Sequence, residues 1–302
     1  MLRLYRSYIL LAVLAVLLSL SVAVAALGSK SDRDFDPTQR MFDDFNKAFA
    51  RHWKTRTGVE VTIRQAQSKP SVPLRASVDG LKVVSLALSY DQAPIQKNSN
   101  FSLPHWDKPL PQKSPFTSTI VFLVRKGNPK NLRDWDDLTR EGVQVVASNP
   151  KTSDEGRWSY LAAWGYALKQ PEGNGATALE FVTKLFANMK VLGRGTQNSV
   201  ASFVDGGIGD VLLTWENEAH GIIEEWSNDK FEIITPSLSI LAEPPVSVVS
   251  DVSDRIGARE VPRAYIDYLY TVKAQNIAAQ YYYRPRDEKV AAKYAVQFPP
   301  LE

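Results

Sequence analysis

The chain has 302 residues, a formal charge of +3 at pH 7 and no cysteine. The missing thiol excludes disulfides, thiolate metal sites, cysteine nucleophiles and a lipid-modified N-terminal cysteine. Lysine and arginine are interspersed with aspartate and glutamate, without a basic block, which argues against nucleic acid as a partner.

Residues 1–25 read as a secretion signal. Arg3 and Arg6 make a basic start, 9–20 an apolar run, and Ala23-Val24-Ala25 a cleavage site of small residues. The competing reading is an uncleaved anchor, because the apolar stretch 9–27 approaches the roughly 20 residues that span a bilayer. An exported chain without cysteine fits a periplasm, where disulfides form but are not required. The remaining residues, about 277, suffice for two lobes and a sizeable core.

Asp36-Pro37-Thr38 opens a helix in which Met41, Phe42, Phe45, Phe49 and Trp53 recur at helical spacing, and Gly58 ends it. Residues 59–63 alternate and read as a strand, 67–73 as a loop, 83–88 as a buried strand and 92–115 as a proline-rich loop. Residues 118–125 are the clearest strand. A short helix is expected over 135–138, strands over 143–147 and 210–214, and helices over 153–168 and 176–189. Strands at 231–234 and 246–249 precede helices at 262–270 and 274–281. Strands alternating with helices predict an α/β fold with mixed, mostly parallel sheets.

Residues 149–168 carry the main functional signal: a strand exit, a tight loop and a helix start. Unpaired N–H groups and the positive dipole end make such a start an anion site. Here Asp154 and Glu155 occupy its first turn. They read either as helix-stabilising charges, worth roughly 0.3–1 kcal/mol, or as obstacles to an anion. A unit charge ~5 Å from a charge of the ligand costs about 3 kcal/mol at an effective dielectric near 20.

Several long segments resemble the bacterial periplasmic sulfate/thiosulfate-binding proteins, the solute receptors of ABC importers. They are F-D-P-T at 35–38, F-N-K-A-F-A-R-H-W-K at 45–54, S-P-F-T-S-T-I-V-F-L-V-R-K-G-N-P-K at 114–130, and R-W-S-Y-L-A-A-W-G-Y-A-L at 157–168. G-I-G-D-V-L-L-T-W-E-N-E-A at 207–219, K-F-E-I-I-T-P-S at 230–237, I-L-A-E-P at 240–244 and Y-Y-R-P-R-D at 282–287 complete the match in order. The resemblance implies a two-lobed, type II "Venus flytrap" fold that closes on an oxyanion. Its expected lobes are 34–114 with 242–302, and 115–241, joined by crossing strands near 118–125 and 240–249. It also implies periplasmic localisation, a monomer that docks on ABC permease subunits, no enzymatic activity, no cofactor and no metal.

In that family neutral donors hold a dehydrated sulfate. Carried over by position, the ligand-binding residues are Asp36 at the first helix start, Ser153, the turn at Thr196, and Trp215 as an indole donor. Three matches depart from the pattern. The family's S-H-G-G-S-G loop falls on A-Q-S-K-P-S at 66–71, where Pro70 replaces the donor serine and Ser68 or Ser71 is left to substitute. Its Gly-Gly after Ser153 is Asp154-Glu155, and its Gly-Ala-Arg-Gly turn is Gly195, Thr196, Gln197 and Asn198. The resemblance therefore implies sulfate or thiosulfate binding. The alternative is a degenerate paralogue that takes another solute or serves as an interaction module. Arg157 is expected to pair with a nearby carboxylate. His52, His105 and His220 are too scattered for a metal site.

Overall fold

The computed structural model describes residues 37–66, 74–79, 85–88, 114–226, 229–243, 246–249 and 260–301. Asp36, Ser68, Ser71, the 1–25 signal, the whole 67–73 loop and residues 92–113 of the 92–115 loop lie outside them.

Helix α1, Pro37–Thr57, buries the expected stripe of Met41, Phe42, Phe45, Phe49 and Trp53. Gly58 ends it at φ +73°, a conformation that costs glycine little, and its N–H closes on the Lys54 carbonyl at 2.9 Å. The stripe packs with Phe116, Tyr265, Tyr268, Leu269 and Tyr283 in a first core. Phe49 meets Tyr265 edge to face at 4.9 Å. The Tyr265 hydroxyl donates to buried Asn46 at 2.6 Å, so burial strands neither polar group. Helices α6, Glu260–Leu269, and α7, Val272–Gln280, supply the other wall. Beside them lies a sheet in the order β1-β2-β3-β10, paired antiparallel throughout: Thr62–Ala66, Leu74–Asp79, Ser85–Leu88 and Val246–Val249.

The second core surrounds a five-stranded sheet, order β7-β6-β8-β5-β9. Its strands are β5 Ile120–Arg125, β6 Val145–Ser148, β7 Met189–Gly193, β8 Val211–Trp215 and β9 Phe231–Ile234. β6 is parallel to β7 and β8, whereas β5 is antiparallel to β8 and β9, so four strands point one way and β5 runs against them. The expected mixed sheet is thus resolved. The parallel strands are those fed by helices α2, Asp154–Lys169, α3, Gly175–Ala187, α4, Thr196–Val204, and α5, Glu216–Trp226, as parallel pairing requires a crossover. β5 is buried along nearly its whole length. The expected helix over 135–138 is a 3₁₀ turn, Trp135–Thr139, with a capping box at Asp134.

The chain passes between the cores over very few residues. Phe116 lies in the first and Ile120 in the second. Strand β4, Phe116–Thr117, pairs with β11, Arg284–Pro285. Ser118 then exchanges two backbone hydrogen bonds with Ala242, at 3.1 and 2.9 Å, and its buried hydroxyl donates to Asn217 at 2.7 Å. The two segments expected to cross therefore pair with each other. Among the described residues no helix is long and apolar enough to cross a membrane.

Candidate functional site

At the carboxyl end of β6 the chain leaves Ser148 through Asn149-Pro150 and re-enters a helix at Ser153. Ser153 is the N-cap of α2: extended backbone, with its hydroxyl accepting the Gly156 N–H at 3.4 Å. Gly156 allows the helix to sit against the strand exit. A Cβ there would fall 2.4 Å from the Ser148 carbonyl oxygen and 2.7 Å from the Pro150 nitrogen. The neighbouring loop is tied in by Asn149 N–H to the Gly193 carbonyl at 2.7 Å and by the Thr152 hydroxyl to the Arg194 carbonyl at 2.9 Å. This brings the start of α4, capped by Gly195 without a side-chain bond, beside the start of α2.

Asp154 and Glu155 are adjacent in sequence but part company in space. The Asp154 carboxylate pairs with Arg157 one turn on, and Arg157 also reaches the Pro150 carbonyl. That is the structural pairing expected of Arg157. Glu155 is only 2 % exposed. Its Oε2 accepts hydrogen bonds from the Ser148 hydroxyl at 2.7 Å and the Thr196 hydroxyl at 2.5 Å. Ser148 is in turn 3.1 Å from the Ser199 hydroxyl of α4. The Thr214 hydroxyl and the Trp215 backbone N–H also favour the ionised carboxyl. Glu155 Oε1 and Thr214 Oγ1 are buried without a hydrogen bond of ordinary geometry. Burial is the larger influence and pushes the Glu155 carboxyl above the usual range, the hydroxyls offsetting part of the rise.

Thus Ser153, Glu155, Thr196 and Trp215 converge where the carboxyl ends of β6 and β8 meet two helix starts. This is the edge at which open α/β sheets bind ligands. The Trp215 side chain is 6 % exposed, with the Trp158 ring 6.2 Å away. All four local donors aimed at the carboxyl are neutral, and both helix dipoles present their positive ends. The donors favour a negative charge while burial opposes it more strongly, and the protein's own glutamate lies among them. The expected list of site residues carried no hint of Ser148, Ser199 or Thr214. Their signal was present as hydroxyls at or beyond the ends of apolar strands, but strand ends are polar for many reasons.

A second buried carboxylate follows directly. Glu216, 1 % exposed, receives both Nε and Nη2 of Arg284 at 2.6 and 2.7 Å. This bidentate pair links α5 to β11. Arg284 also donates to the Pro299 carbonyl at 2.8 Å, and His220 stacks flat on Tyr282 at 4.5 Å. Burial, with Arg284 adding to it, pushes His220 down to about 4. Among the described residues no group of three or more His, Asp or Glu side chains is placed to hold a metal.

Two cores joined by paired segments, with a donor-lined sheet edge in one of them, match the architecture of solute-binding proteins. The chain belongs to the bacterial extracellular solute-binding proteins, whose family profile matches residues 39–284. It is 50 % identical to the sulfate-binding protein of Escherichia coli K12 over 271 residues, covering 89 % of this chain and 82 % of that one. It is 41 % identical to a thiosulfate-binding protein of Pseudomonas aeruginosa over 292 residues, 96 % and 88 % of the two chains. Among solved structures it resembles the sulfate-binding protein SubI of Mycobacterium tuberculosis H37Rv. The TM-score there is 0.62 and the identity 32 %, over 72 % of this chain and 74 % of that one. The two-lobed periplasmic-binding-protein fold implied by the sequence is therefore the fold of this chain.

Proposed function

We propose that this protein is an extracytoplasmic receptor that delivers sulfate or thiosulfate to an ABC permease. The observation that carries the reading is the convergence of Ser153, Thr196 and Trp215 on one pair of helix starts, in a chain half identical to a sulfate-binding protein. Helix starts and hydroxyls suit a dehydrated oxyanion, because several fixed dipoles spread over it without a salt bridge. Lobe 1, 34–114 with 242–302, and lobe 2, 115–241, close on the ion. The two separate cores and the Ser118–Ala242 pairing support this division. Asp36 and either Ser68 or Ser71 are the residues expected to complete the site from lobe 1, and Asp154 pairs with Arg157.

Isothermal titration at low ionic strength tests the reading. Sulfate or thiosulfate should bind 1:1, about tenfold more weakly in Ser153→Ala and Trp215→Phe, the loss of roughly one hydrogen bond to a charged group. Absence of heat at millimolar concentrations of both ions, in the wild type and the Glu155 variants described below, would favour a paralogue that takes another solute.

A further inference from the structure

Two of the residues expected to bind an oxyanion already face one: Thr196 through its hydroxyl and Trp215 through its backbone N–H. The Thr196 and Ser148 hydroxyls both donate to Oε2 of Glu155, and the Trp215 backbone N–H favours its ionised carboxyl. One carboxyl oxygen is fully buried yet lacks a hydrogen bond of ordinary geometry. A second anion placed on the same donors would meet Glu155 at close range, where like charges repel by kcal/mol even under partial screening.

Resting on the receptor reading above, we propose that Glu155 is an internal competitor for the ligand, so that the oxyanion binds with uptake of one proton by its carboxyl. The step balances simply: carboxylate plus a solvent proton gives the neutral acid, and no other bond changes. The neutral acid removes the repulsion and adds an O–H donor that can face a fully deprotonated oxyanion. The preferred ligand is accordingly an oxyanion without protons of its own. One that carries a proton would bring a second donor to an acid that needs an acceptor.

The surroundings leave the titration to this residue. The groups facing it are Ser148 of β6, Thr196 of α4, and Thr214 with the Trp215 N–H of β8, and Ser199 stands behind Ser148. None of them is charged, and among the described residues no charged side chain enters the balance. On its own helix turn Asp154 and Arg157 pair with each other. Burial already tilts the carboxyl toward the neutral form, so ligand entry completes a shift the fold has begun.

Titration calorimetry of the full chain with sulfate, from pH about 5 to about 8, decides the matter, since sulfate stays a dianion throughout. Above the carboxyl's folded-state value the affinity should fall by up to about tenfold per pH unit. Buffers of different ionisation enthalpy should report proton uptake approaching one per ion. Glu155→Gln should abolish both the slope and the uptake while keeping the affinity of the acid limit, and Glu155→Gly should bind without a slope. Wild-type binding with no slope and no uptake overturns the proposal and leaves the receptor reading intact. A slope that persists in Glu155→Gln does the same. No binding by wild type or either variant overturns both. Should Glu155→Gln fail to fold, the wild-type proton count alone still decides.

Discussion

Two buried glutamates, Glu155 and Glu216, lie at the carboxyl ends of neighbouring strands and are held differently. Glu216 meets a bidentate arginine; Glu155 meets only hydroxyls and a backbone N–H. A fixed counter-charge keeps a carboxylate ionised and makes it a strut. Neutral donors favour the charge less than a fixed counter-charge does, so the group stays responsive to pH and to competing anions. Burial is the larger influence on both carboxyls and holds both above the usual range; what opposes it is the hydrogen bonds and charge of Arg284 at Glu216, and neutral donors alone at Glu155.

The contrast can be broken most severely at Arg284. Arg284→Met should leave Glu216 buried and unpaired and lower stability by about 3–5 kcal/mol, read as a fall in the denaturant midpoint. Glu155→Gln, which exchanges one hydrogen-bonding group for another, should cost far less. Equal losses would mean that Glu155 and Glu216 are held in the same way.

Acid and alkali should then separate the two surroundings. His220 is held at about 4 in the fold, below its unfolded value. Its contribution is present above the unfolded value and is lost as pH falls toward 4, amounting to about 2–3 kcal/mol. Glu155 works in the other sense. Its raised carboxyl contributes fully below the unfolded value near 4.5 and loses that contribution as pH rises through the folded one. Denaturation curves across pH should flatten on the acid side in His220→Asn and on the alkaline side in Glu155→Gln. NMR titration of the His220 ring checks the first directly.

The smallest effect concerns how α2 seats on β6. Gly156→Ala should push the helix start off the Ser148 carbonyl and cost about 1–3 kcal/mol. It should also loosen Glu155, visible as accelerated amide exchange at 155–157. An alanine scan that finds Gly156→Ala neutral would show the helix start free to move.

Most of the fold was legible because its signals are periodic. The α1 stripe from Met41 to Trp53 and the apolar run of β5 each specify a buried face. β7 was missed because Met189 to Gly193 is a half-exposed edge strand following a helix without a break, and the helical pattern ran on into it. α5 was missed because it starts straight from β8, with Glu216 as its first residue and no separate cap in the sequence. The site was legible as a position but not as a geometry. Asp154 and Glu155 look like one acidic pair, yet successive helical residues diverge by about 100°. One therefore faces Arg157 and the other the interior. Only the tertiary placement of Ser148 and Thr196 reveals which.

The reversed direction of β5 bears on how this chain is made. Its partners lie at 211–215 and 231–234, far downstream. Until they appear, a six-residue segment of β-branched, aromatic and leucine side chains ending in a single arginine has no neighbour to cover it. Such a segment is the kind from which intermolecular sheets grow. Arg125, which in the finished fold lies over Phe203 and donates to the carbonyls of Phe203, Ile208 and Gly209, is then the gatekeeper of a nascent chain before it is a brace of the mature one.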